Sequence, residues 1–126
     1  MSTANLLVKI LAYSDASATY DPQLEDVNWT KEIEDLISGN FDTLTRTLEP
    51  GDTAIELPAT TITFLYIEVD GTVYARLNGD LGDTNIITPS AVGTRDGVYL
   101  KRGNITDIVI NNPGTANVTA KIFMGA

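Results

Sequence analysis

The sequence predicts an all-β fold, an antiparallel β-sandwich or jelly-roll-like barrel of about eight to nine short strands, with one short helix near residues 29–37. Three observations carry that expectation. From Phe41 onward, short apolar-alternating runs succeed one another. Turn residues punctuate them at Pro50-Gly51, Asp70-Gly71 and Asn112-Pro113-Gly114. The 126 residues fit one domain, large enough to bury a core without disulfides or metals. Short strands spaced by such turns point to a sandwich or barrel rather than a βαβ sheet.

Residues 5–13, NLLVKILAY, read as a strand that Ser14-Asp15-Ala16-Ser17 breaks. Residues 14–40 differ in character. They hold seven acidic residues and one lysine, and they read as an acidic loop-and-helix insertion or arm within a single domain spanning 1–126. Within this stretch Trp29, Ile33, Leu36 and Ile37 fall on one face of a short helix. Asn28 can cap it and Gly39 can end it. FDTLTRTLEPGDTAIELP gives two strands about Pro50-Gly51, where glycine supplies the positive φ of a type II turn. TITFLYIEVDGTVYARLNGD gives two more about Asp70-Gly71, a preferred two-residue hairpin turn. Residues 85–88 and 97–101 are short strands. Residues 105–110 and 117–123 are the last pair, expected as a hairpin that anchors the end of the sequence.

If Asp70 and Gly71 make a hairpin turn, Leu65, Ile67 and Val69 share a face with Tyr74 and Arg76. The opposite face is also rich in large apolar groups. A sheet with one wet face alternates apolar with polar, so both faces of this pair need cover. One packs on the opposing sheet. The other, holding Leu65, Ile67, Val69 and Tyr74, is covered either by the 29–37 helix or by a neighbouring subunit. This marks Leu65, Ile67, Val69, Tyr74, Arg76 and Trp29 as interface candidates. Leaving Leu65 or Ile67 bare would cost roughly 1.5–3 kcal/mol each.

The same sequence argues against chemistry. It has no cysteine and no histidine, hence no thiolate, no imidazole base and no common soft metal ligand. Glu32, Glu34 and Asp35 read as the solvated side of the helix rather than as a glycosidase pair. No phosphate loop or nucleophile elbow is present. The nearest approach to a cation site is Asn78, Asp80, Asp83 and Asn85 in NGDLGDTN. These are oxygen ligands on a turn, but without the spacing of a calcium loop, and an ordinary Asn/Asp/Gly loop accounts for them. No enzyme activity, cofactor or metal is therefore expected. The net charge of −9 opposes nucleic acid and anionic membranes. No apolar run is long enough for a membrane helix, and no signal peptide is evident. Tyr74, Arg76, Tyr99 and Arg95 raise a second prospect, an aromatic and polar sugar-binding face.

In TFLYIEVDGTVYARLNGD, GVYLKRGNITDIVINNPG and NVTAKIFMGA, and earlier in RTLEPGDTAIELP, the chain resembles small β-sandwich structural proteins of tailed bacteriophage virions. The resemblance covers about half to two-thirds of the chain and includes no counterpart of residues 14–40. It implies a head decoration or cement protein, or a head-fibre or tail subunit. Such a protein would be synthesised in the bacterial host cytoplasm and incorporated in the virion. Its partners would be the major capsid or another virion protein and its own copies, as a trimer or another closed oligomer. The alternative is a receptor- or carbohydrate-binding module of a tail or fibre.

Overall fold

The structure, a computed structural model, describes residues 3–10, 29–38, 41–79 and 84–126, with side chains from Phe41 onward. The chain divides into two compact units, Met1–Ser38 and Gly39–Ala126.

The first unit is a two-stranded antiparallel ribbon of β1 (Thr3–Ile10) and β2 (Trp29–Ser38). Ile10 lies opposite Trp29 and Thr3 opposite Ser38, with a register shift between Ala4 and Leu6. The helix expected over 29–37 is therefore a strand. The physical reason lies in the spacing. Trp29, Ile33 and Ile37 are four apart, a separation that satisfies both the helical period and the strand period of two. Only Leu36 favoured the helix, and the aromatic and β-branched content of WTKEIEDLIS suits a strand.

The second unit is all-β and sandwich-like, with eight strands in two four-stranded antiparallel sheets. They are β3 (Phe41–Leu48), β4 (Gly51–Ile55), β5 (Ile62–Val69), β6 (Val73–Leu77), β7 (Thr84–Ile87), β8 (Gly97–Ile105), β9 (Ile108–Asn112) and β10 (Val118–Gly125). The first sheet runs β3-β10-β5-β8 and the second β4-β9-β6-β7. The chain changes sheet at every connection except β6–β7. Two turns that read as hairpins, Asp70-Gly71 and Asn112-Pro113-Gly114, are therefore corners between sheets, as is Pro50-Gly51. β5 pairs with β10 and β8 rather than with β6, so the expected partners Ile67 and Tyr74 do not meet in one sheet. β9 pairs with β4 and β6, and β10 with β3 and β5, so the closing hairpin is likewise absent. Gly51 keeps its expected positive φ, at 102°. Gly71 does not adopt one. It is required because a Cβ there would lie 2.7 Å from the Val118 methyl Cγ2.

Alternation places one side of each sheet inward. Leu48, Leu65, Ile67, Val69, Val118, Ala120, Ile122 and Met124 from the first sheet share a core with Ile55, Val73, Ala75, Leu77, Ile87, Ile108 and Ile110 from the second. Polar clamps tie the two sheets at each end. At one end, the buried Asn112 amide donates to the Leu48 carbonyl at 2.9 Å and to the Ala116 carbonyl at 2.8 Å, and its oxygen accepts from Gly114 N at 3.0 Å. Nearby, Thr119 N donates to the Asp70 carboxylate at 2.8 Å. At the other end, Asn78 Oδ1 accepts from Thr106 N at 2.7 Å, and Asn78 Nδ2 donates to the Asn104 carbonyl at 3.2 Å. Satisfying a buried amide in this way avoids its desolvation penalty.

Candidate functional surfaces

With the core filled, the outward residues of each sheet are what the second unit can offer a partner. On the first sheet the register aligns Thr43, Phe123, Tyr66 and Leu100 in one row across the four strands. Phe41, Gly125, Phe64 and Arg102 form the next. The Phe41 and Phe123 rings stack with centroids 5.6 Å apart, and Phe64 meets Phe123 edge-on at 5.9 Å. Val98 follows on β8 opposite Glu68. Phe41, Val98 and Leu100 are three of the five exposed large hydrophobics among the described residues, and all three lie on this one face. The Tyr66 hydroxyl donates a long hydrogen bond to Glu68 at 3.4 Å. Partial burial, and then the Glu68 carboxylate, push its pKa up.

The second sheet is different. Its outward rows are Asp52, Asn111, Tyr74 and Ile86, then Ala54, Val109, Arg76 and Thr84. The Arg76 guanidinium contacts the Asp52 carboxylate at 2.6 Å, and the Asn111 amide donates to the same carboxylate at 2.8 Å. The Asn111 hydrogen bond, then that from Arg76, hold the Asp52 pKa below its ordinary value. Two open depressions flank this array. One is lined by Asp52, Tyr74, Arg76, Thr84 and Asn111, the other by Asp52, Arg76, Gly79, Asp107 and Val109.

No family model, curated protein or solved structure matches the chain. Its surfaces must therefore be judged on their own chemistry.

The sequence-predicted interface set is split by this geometry. Leu65, Ile67 and Val69 are fully buried core residues, so they are corrected from surface to interior. Without the β5–β6 hairpin, parity within β5 turns them towards the opposing sheet. The face left outside holds Tyr66, Phe123 and Leu100 instead, while Phe64, edge-on to Phe123, is itself buried. The signal was present in the same stretch, because TFLYIEV is apolar on both sides, but the choice of side depended on the wrong strand partner. Tyr74 and Arg76 lie outward on β6 of the other sheet, apart from Leu65, Ile67 and Val69. Trp29 begins β2, in the first unit. Tyr99 alternates inward on β8 and packs against the core, and Arg95 lies in the loop before β8, so neither joins the Tyr74–Arg76 surface. Of the proposed cation ligands, Asn78 directs its side chain to Thr106 and Asn104, and Asn85 pairs opposite the inward-facing Ala75. Asp80 and Asp83 lie outside the described residues. So do the side chains of Glu32, Glu34 and Asp35. Asp52, Asn111, Phe41 and Phe123 were missed, because each acquires its neighbours only through pairings distant in sequence.

Proposed function

We propose that this chain is a non-enzymatic virion structural protein, a jelly-roll subunit that decorates the outer shell of a tailed-phage head and works by burying surface against shell proteins and its own copies. The strand order supports the jelly-roll reading. Eight antiparallel strands divide as β3-β10-β5-β8 and β4-β9-β6-β7, with the chain crossing between sheets at nearly every turn, an architecture used by viral capsid and lectin domains. Because one architecture hosts many functions, the weight falls on a single surface observation. The outer face of the first sheet carries Phe41, Phe123, Tyr66, Leu100 and Val98 around a buried Phe64, with Glu68, Lys121 and Arg102 among them. Patches of that kind, rich in aromatic residues, mark protein–protein contacts. The acidic charge of −9 fits a position away from packaged DNA.

The test is the solution mass of the purified protein over a wide concentration range, followed by co-sedimentation with assembled phage shells. A dilution-resistant trimer or other closed oligomer, dissociated by Leu100→Lys together with Phe123→Lys, is expected. A monomer at every concentration removes the self-association, and failure to sediment with shells removes the decoration role.

A further inference from the structure

We propose that the outer face of the β4-β9-β6-β7 sheet is a binding site for an uncharged oligosaccharide, with a sugar ring seated on Tyr74 and Ile86 and its hydroxyls held by Asp52, Arg76 and Asn111. This site is separate from the aromatic-rich face and does not depend on the shell-binding role.

The array is chemically mixed in the way a sugar is. Across one row, Asp52 and Asn111 are polar, while Tyr74 and Ile86 present a ring and an aliphatic side chain. Ile86 is 69% exposed, so its side chain stands open beside Tyr74. A pyranose has an apolar C–H face and a rim of hydroxyls that both donate and accept. Asp52 supplies acceptor oxygens, the Arg76 guanidinium supplies a fork of donors, and the Asn111 amide offers both kinds. The two depressions share Asp52 and Arg76 and extend from Thr84 and Tyr74 on one side to Gly79 and Asp107 on the other. Two depressions adjoining across one ion pair suit linked sugar units.

Charge selects the class of ligand. Arg76 is already neutralised by Asp52, so the site offers no unpaired cation to an anion, and the chain as a whole repels one. The array is also poorly explained as a stabilising device. The Arg76 and Asp52 side chains are 25% and 55% exposed, and ion pairs that open to water contribute little to folding. A protein partner would favour the other sheet, where Phe41, Val98 and Leu100 are exposed.

The test is an array of neutral, sulfated and sialylated oligosaccharides probed with the whole protein, then amide-shift mapping by NMR with the best neutral binder. Shifts centred on Asp52, Tyr74, Arg76 and Asn111 are expected. Tyr74→Ala and Arg76→Ala should each weaken binding about tenfold or more, equivalent to roughly 1.4 kcal/mol, while Thr45→Ala, exposed on β3 of the other sheet, leaves it unchanged. Arg76→Ala deprives Asp52 of its partner, so Tyr74→Ala, which keeps the ion pair, is the deciding variant. The proposal is overturned by the absence of any neutral binder, by binding confined to anionic glycans, or by shifts that map to the Phe123 face.

Discussion

The two outer faces of the second unit differ sharply although their inner faces are alike. Inward, both sheets present mostly aliphatic side chains, and either set could belong to any sandwich. Outward, the first sheet shows stacked phenylalanines with Tyr66 and Leu100 beside them. The second shows an ion pair braced by an amide beside one tyrosine. The inward residues answer to packing, so they carry the fold. The outward ones are released from that demand, and they differ in chemistry, one face aromatic-rich and the other polar.

The largest expected effect removes the comparison altogether. Deleting residues 118–126 takes out β10, which lies between β3 and β5 and carries Val118, Ala120, Ile122 and Met124 into the core. No cooperative thermal transition should remain by circular dichroism, and a folded, soluble truncation would refute the strand assignment. Next, Ile67→Ala and Tyr66→Ala separate the two sides of one strand. The fully buried Ile67 should lose about 2–5 kcal/mol in urea unfolding. Its outward neighbour should lose about 1 kcal/mol or less but alter self-association. Asn112→Ala should fall between them, at roughly 1–3 kcal/mol, because the Leu48 and Ala116 carbonyls lose their donor.

The smallest effect belongs to the polar face alone. Asp52 has its pKa lowered by Asn111 and then Arg76 from an ordinary value of 3.8. A carboxylate favoured in the folded state stabilises fully above its unfolded pKa, and that contribution fades as pH falls through the lower folded value. The stability difference between the native protein and Asp52→Asn should therefore be constant near neutrality, then shrink below about pH 3.8. It should also diminish with added salt. Urea titrations over a pH series measure it. A difference that persists unchanged into acid would mean that Asp52 acts by packing rather than by charge.

The strands of the second unit were largely legible because alternation is a local property. ITFLYIEV and VTAKIFMG reveal their period without reference to anything distant. Pairing was not legible, because turn chemistry states only that the chain bends. Asp70-Gly71 and Asn112-Pro113-Gly114 bend it into the opposite sheet, and nothing within four residues distinguishes that corner from a hairpin. Gly71 illustrates the difference. Its need is set by Val118, a residue remote in sequence. The helix error at Trp29–Ser38 was of another kind, a spacing of four that two periods share. Tyr74 and Arg76 were found from residue type alone, whereas the Asp52 and Asn111 side chains that complete their surface come from β4 and β9 and required the fold.

The repeated crossing between sheets also governs how the chain can acquire its structure. Phe41 pairs with Gly125 and Leu48 with Val118, so β3 waits for almost the whole of the unit to be synthesised. β5 likewise has β10 on one side and β8 on the other, both made later. On a ribosome, β5 can pair with β8 once residue 105 has emerged, but the first sheet cannot be completed until β10 follows, and long-range pairing of this kind makes folding slow. During that interval the apolar strands are exposed together, the condition under which chains associate wrongly. Folding of this unit should therefore depend on late closure around β10.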